Sequence, residues 1–275
     1  LGGKRKRFPT AITNGELDNG RHPNVGIYFY TFDETDVWIP HCTGVLIAPD
    51  VLLTAAHCVC GPAQYLQDNP AMHAWVTFDS DVTAVHSGCT SPAACPDAME
   101  VPAGNIHIHP GFACEHKNSF GASDESRVAD LAVIVLPRPV DGVTPASLPA
   151  LGLLESLQAQ NGLQGQTFTV VGYGWQNEFD KDWPFAFWWD GKRRLATSEY
   201  LALTPGFLLM SQNSELGNGG ACLRDSGGPY FIGDSNMVVA VVHFVDDAPC
   251  RAMARAFRLD IELARGFLAN HVTLP

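Results

Sequence analysis

Short runs of β-forming residues, bounded by Gly, Pro, Asn and Asp, recur along the whole chain, and this pattern limits the fold more than any other feature. Examples are Val25–Thr31, Val45–Ile47, Val51–Thr54, Ala74–Phe78, Leu131–Leu136, Thr167–Val171, Leu208–Ser211, Tyr230–Ile232 and Val238–Phe244. Many short strands separated by turn signals predict an all-β sandwich or barrel. Long helical periodicity is scarce. The best candidate is C-terminal, where Asp260 could cap a helix over Ile261–His271 with an apolar stripe of Ile261, Leu263, Ala264, Phe267 and Leu268. At 275 residues the chain can bury one large all-β unit or two domains. Between Pro137 and Gly165 the composition shifts to Pro, Gly and small residues, which marks a crossover between domains. Phe179–Trp189 is a second unusual stretch, apolar and aromatic between charged clusters, and no repeat of 20 to 50 residues is evident.

Eight cysteines point to an oxidising compartment, with cysteine-containing metal sites as the competing reading. A net charge of −12 disfavours nucleic acid or an anionic membrane surface as partner. No apolar run approaches the ~18 to 20 residues that span a bilayer, and the longest, Val238 to Val245, is interrupted by His243. Lys4–Arg7 is either a processing signal or a solvated tail. Leu1-Gly2-Gly3-Lys4 lacks the apolar core of a signal peptide, so secretion is read from the cysteines alone.

Three local signatures occur in a fixed order. Leu53-Thr54-Ala55-Ala56-His57-Cys58 runs a strand into a histidine followed at once by a cysteine. Ala129-Asp130-Leu131-Ala132-Val133-Ile134 places an aspartate at the start of an apolar strand. Cys222-Leu223-Arg224-Asp225-Ser226-Gly227-Gly228-Pro229 is the third. With these motifs, from about Ile12 to the terminal helix, the sequence resembles the trypsin/chymotrypsin-like serine proteases. The resemblance implies two antiparallel six-stranded β-barrels with a C-terminal helix and the active site in the cleft between them. It implies an N-terminal tail or propeptide remnant over 1–11 and a first barrel over 12–140 carrying His57 and Asp130. A crossover over 141–165, a second barrel over 166–259 carrying Ser226, and a helical segment over 260–275 complete the expected layout.

A serine hydroxyl is a poor nucleophile at neutral pH, so a neutral imidazole must take its proton during attack. By resemblance His57 is the general base and acid, Asp130 the orienting carboxylate and Ser226 the nucleophile. Gly227 and Gly228 permit a tight turn beside the serine. The backbone N–H groups of Arg224 and Ser226 would form the oxyanion hole, where a lost donor costs about 2.7 to 4 kcal/mol of transition-state stabilisation. The expected activity is a secreted, monomeric serine endopeptidase acting on peptide or protein substrates and subject to protein inhibitors, with no cofactor and no metal. The alternative is a catalytically inactive homologue that serves as a binding module. An α/β-hydrolase esterase is disfavoured, because the serine lies in Asp-Ser-Gly-Gly and no βα alternation is present.

The resemblance implies the disulfides Cys42–Cys58 and Cys222–Cys250. A bridge closing a loop of about 15 residues contributes ~3 kcal/mol in the chain-entropy model. Cys60, Cys89, Cys95 and Cys114 allow three connectivities, of which Cys89–Cys95 with Cys60–Cys114 is preferred. His107, His109, Cys114 and His116 fit no familiar zinc spacing. Gly172-Tyr173-Gly174-Trp175 reads as a strand end and not as a nucleotide fingerprint.

Several positions depart from the family pattern. Arg224 stands where most relatives have glycine, which brings a long side chain to the leaving-group side of the cleft. The specificity pocket would be formed by Gly220 at its floor and His243, Phe244 and Val245 on its wall. An uncharged floor and a valine on the wall predict cleavage after small or medium apolar residues. His243 is either packed behind the triad or a polar pocket element favouring an acidic side chain. Asp225 is the activation partner that a new N-terminus at Ile12 would pair with, although no basic residue immediately precedes Ile12.

Overall fold

The structure is a computed structural model that describes residues 12–32, 35–69, 71–83, 95, 97–114, 129–180, 183–245 and 250–275. In chain order the strands are β1 (Glu16–Leu17), β2 (Val25–Phe32), β3 (Thr35–Ala48), β4 (Val51–Thr54), β5 (Met72–Thr77), β6 (Ala98–Glu100), β7 (Ile106–Ile108) and β8 (Ala132–Val135). The second half contributes β9 (Thr167–Gly172), β10 (Gln176–Asp180), β11 (Trp183–Trp188), β12 (Arg194–Leu203), β13 (Phe207–Ser211), β14 (Pro229–Ile232), β15 (Val238–Val245) and β16 (Met253–Arg258). Three α-helices lie among the described residues: α1 (Ala56–Asp68), α2 (Leu153–Ala159) and α3 (Glu262–Leu268).

The first sheet runs in the order β6-β5-β2-β3-β4-β8-β7, and every pairing in it is antiparallel. In β2 seven consecutive residues, Val25 to Thr31, are buried, as β-branched and aromatic side chains on both faces require. The second sheet runs β1-β12-β13-β16-β15-β14-β9, and a further β12–β9 pairing closes its six main strands into a barrel. The first sheet curls without a closing pair among the described residues. The fold is the chymotrypsin-like architecture that the resemblance implied, with a closed six-stranded barrel and a curled half-barrel. The aromatic stretch from Phe179 falls in the separate β10–β11 hairpin.

Two helices escape the sequence reading. α1 begins within the histidine motif, and α2 lies in the Pro- and Gly-rich connection between β8 and β9. The terminal helix is shorter than predicted, and Asp260 does not cap it: Ile261 is its N-cap, with no side-chain bond. The Asp260 carboxylate instead accepts the Leu154 N–H at 2.7 Å, in the first turn of α2, and two bonds from the buried Arg258 guanidinium. A carboxylate opposite a buried arginine is held there by charge, which outweighs the local cap. α3 buries Ala264, Phe267 and Leu268 against the core of the first sheet.

Candidate active site

Asp130 is completely buried just before β8 and accepts three bonds. The His57 backbone N–H donates to Oδ1 at 2.7 Å, and His57 Nδ1 lies 2.6 Å from Oδ2. His57 stands in the first turn of α1, where backbone N–H groups have no intrahelical partner, so the carboxylate both satisfies that helix end and orients the ring. The third contact is His243 Nδ1, on β15, 2.5 Å from the same Oδ2. Burial alone would raise the Asp130 pKa, but the His57 charge and the bonds from His243 and His57 overcome it and hold the carboxyl far below its usual range.

Ser226 is fixed by its backbone. Its carbonyl accepts from Thr43 N at 2.9 Å, and Cys58 Sγ lies 3.6 Å from that oxygen, next to His57 in sequence. Gly227 has φ +80°, and a Cβ there would come within 2.1 Å of Thr54 Oγ1, so glycine is required at this turn. Among the described residues no hydrogen bond joins Ser226 Oγ to His57 Nε2, which lies 3.8 Å from Cys58 Sγ. Such bonds often tighten only when substrate is bound. The N–H groups of Arg224 and Ser226 donate to no protein acceptor among the described residues.

Arg224 adopts φ 79°, a left-handed conformation costing a non-glycine residue about 1 to 2 kcal/mol. Its guanidinium lies 5.3 Å from the Trp175 ring centroid, donates to Pro40 O and approaches His41 Nδ1 at 3.4 Å. Burial, then the Arg224 and His57 charges, push the His41 pKa down to about 3, so His41 is neutral beside it.

Asp225 is fully buried, with its carboxylate on the N–H groups of Gly174 (2.8 Å) and Cys222 (2.9 Å). A Cβ on Gly174 would stand 2.3 Å from Asp225 Oδ2, which explains the glycine after Tyr173. No cation pairs with Asp225 among the described residues, and burial pushes its pKa up to about 7. Ile12 is fully buried and Lys4–Arg7 lies outside the described residues.

At the proposed pocket, a Cβ on Gly220 would fall 2.4 Å from Gln212 Nε2, so the Gln212 side chain occupies the space that a larger floor residue would need. Gln212 is buried, donates to Ala221 O, and leaves its Oε1 without a hydrogen-bond partner among the described residues. No motif singled it out; its position became visible only once β13 was placed against the nucleophile loop. Phe244 and Val245 end β15, half-buried, while His243 directs Nδ1 to Asp130.

Cys42–Cys58, Cys60–Cys114 and Cys222–Cys250 are bonded. Cys95 is also in a disulfide; its expected partner Cys89 lies outside the described residues, as does His116. His109 Nε2 lies 3.2 Å from Leu263 O, and the His107 and His271 rings meet tilted at 38° with centroids 5.0 Å apart, so these histidines pack against the C-terminal segment. His57, Asp130 and His243 offer ligand atoms within 4.8 Å of one another. Their N–O separations of 2.5 and 2.6 Å are hydrogen-bond distances. Ligands at about 2.0 Å around a tetrahedral zinc stand roughly 3.3 Å apart, so this arrangement would have to open to take one.

The Trypsin family model matches residues 30–257. CLIP domain-containing serine protease HP8 of Bombyx mori is 28% identical over 165 residues, covering 58% of this chain and 39% of that protein, so the chain spans well under half of that relative's length. Collagenase of Hypoderma lineatum is 24% identical over 252 residues, 88% of this chain and 81% of its own. The solved structure of HL collagenase matches with a TM-score of 0.59 at 18% identity, covering 93% of this chain and 96% of that one. Human heparin-binding protein matches at 0.60 and 14% identity, covering 95% and 98%. At such identities the structures carry the fold; the family rests on the model match over residues 30–257, and by it this chain belongs to the trypsin family.

Proposed function

We propose that the chain is a serine endopeptidase that forms an acyl-enzyme on Ser226. The Asp130–His57 contact carries this reading: Nδ1 bonded to a buried carboxylate leaves Nε2 as the acceptor for a hydroxyl proton. In the first half-reaction Ser226 Oγ attacks the scissile carbonyl while His57 Nε2 takes its proton, and the Arg224 and Ser226 N–H groups receive the oxyanion. The imidazolium then returns that proton to the leaving amine, and water repeats the sequence to release the acid. With Gly220 and Gln212 uncharged beneath the pocket and Val245 on its wall, the preferred residue before the cleaved bond is small or medium and apolar. The three disulfides whose partners both lie among the described residues fit a protein of the extracellular space.

A second reading, a non-catalytic binding module, draws on Asp225, a buried carboxylate without a cation among the described residues. Its ligand would not be a polyanion such as heparin, because the chain carries −12. A fluorophosphonate probe separates the two: stoichiometric labelling of Ser226 in the folded, processed protein supports the peptidase, and no labelling supports the binder. A peptide library then reads the pocket, where a strong Arg or Lys preference would refute the uncharged floor.

A further inference from the structure

Arg224 is a partly buried cation that meets no carboxylate among the described residues, in a chain with 29 acidic residues and a net charge of −12. Arg193, Arg194 and Arg258, by contrast, face Asp18, Asp190 and Asp260. The Arg224 guanidinium is nonetheless held in place. Its Cζ lies 5.3 Å from the Trp175 ring centroid, and Nη1 donates to Pro40 O and lies 3.4 Å from His41 Nδ1. Burial keeps that imidazole neutral, with a pKa of about 3, so it offers the guanidinium a lone pair and no counter-charge. The backbone is anchored as well. Trp175 N donates to Leu223 O at 2.8 Å, while Thr43 donates from Oγ1 to Arg224 O at 3.2 Å and from N to Ser226 O at 2.9 Å. Thr43 on β3 thus fixes the cation and the candidate nucleophile against the same strand.

A guanidinium carries five N–H donors. Nη1 makes the two contacts above, and no acceptor among the described residues meets Nε or Nη2. Those two nitrogens form the edge that can take both oxygens of a carboxylate at once. We propose that this edge of Arg224 is a carboxylate subsite on the leaving side of the cleft. The anion is supplied by an acidic side chain beyond the cleaved bond or by the terminal carboxylate of a short leaving peptide. The net charge of the chain repels acidic substrates at long range, but salt screens that field beyond roughly 8 Å. A stacked, half-desolvated guanidinium acts inside that distance and is already ordered, so little side-chain entropy is lost when the anion binds.

The kinetic arm rests on the peptidase reading; a binding arm stands without it. Peptides with Glu or Gln at the first, second or third residue past the bond, and dipeptide leaving groups ending in acid or amide, are compared on the processed chain. At one position kcat/KM should favour the carboxylate tenfold or more, and that position tells side chain from chain end. Arg224→Gln should bring the ratio below twofold. Arg224→Lys, which keeps the charge without the two-nitrogen edge, should lower it at least threefold. In the binding arm, calorimetry on the Ser226→Ala chain with the same acid and amide peptides should show a tenfold difference in Kd that Arg224→Gln removes. Ratios within twofold at every position, or a ratio unmoved by both Arg224 substitutions, overturn the proposal. If the acid binds tenfold tighter but no peptide is hydrolysed, the peptidase reading has failed and the carboxylate subsite stands.

Discussion

Thr13 and Gly220 exchange both backbone hydrogen bonds, Thr13 N to Gly220 O at 2.8 Å and Gly220 N to Thr13 O at 3.0 Å. That bridge seats Ile12 in the apolar cluster of the second barrel, with Ala196, Ala221 and Tyr230. The segment that would become a new N-terminus thus already lies against the loop leading to Asp225 and Ser226.

Asp225 makes the consequence measurable. Its folded pKa of about 7 lies above the ordinary 3.8, so the fold favours the protonated acid. The linked stability is complete below about pH 3.8 and is lost as pH rises through 7. In the uncut chain, Asp225→Asn should therefore match the parent near pH 4 and exceed its Tm at pH 8. Cutting before Ile12 would supply an ammonium that lowers the Asp225 pKa instead, so the linked stability would be present above about pH 3.8 and would no longer be lost as pH rises to 7. Calorimetry at pH 5 and 8 on both forms decides; identical pH dependence would refute the pairing of Asp225 with a new terminus.

Ser226→Ala should lower kcat/KM by roughly a hundred-thousand-fold or more, since members of a triad act as a unit. The hydroxyl makes no hydrogen bond among the described residues, so Tm should move little. Residual turnover within tenfold of the parent would overturn the nucleophile assignment.

Legibility followed how local each signal was. The strands were readable from their own periodicity, and the Cys42–Cys58 bridge from the family resemblance that the motifs around His57, Asp130 and Ser226 carry. α1 was not, since its first turn is hidden in Ala-Ala-His-Cys and its helix end is satisfied by Asp130, 73 residues away. Asp260 was misassigned because capping is a local inference, while Arg258 and the start of α2 claim the carboxylate through the fold. His243 could be flagged only as out of pattern; its contact with Asp130 spans 113 residues.

The buried ion cluster where β1, β9 and β12 meet should be sensitive to removal of one partner. Arg193, 3% exposed, binds Asp18 at 3.0 Å, the carbonyls of Val25 and Phe78 at 2.9 Å each, and Tyr173 Oη at 3.0 Å. Burial opposes the Asp18 charge, but His22 and Arg193 outweigh it and hold its pKa at about 2. Arg193→Leu strands that carboxylate and should cost about 3 to 5 kcal/mol. Adding Asp18→Asn should recover part of the loss in urea unfolding; additive losses would show that the two residues do not act as a pair.

Arg224 ties backbone strain to inhibitor binding. Its φ of 79° disfavours any side chain, yet the guanidinium is held over Trp175 and against Pro40 and His41 on the leaving-group side. A large protein inhibitor that lays a rigid loop across both sides of the scissile bond must displace this side chain. Displacement breaks the Pro40 bond and the stacking on Trp175, with cation–π contacts worth about 0.5 to 2 kcal/mol. A short flexible peptide can avoid the obstruction. Arg224→Gly also removes the strain, about 1 to 2 kcal/mol, while retaining the backbone N–H proposed for the oxyanion hole. The substitution should therefore tighten large protein inhibitors by tenfold or more and change kcat/KM for short peptides less than threefold. Inhibition constants and kcat/KM measured on both forms test this directly. Equal changes in the two quantities would mean that Arg224 acts through the oxyanion hole itself, and the steric account would fail.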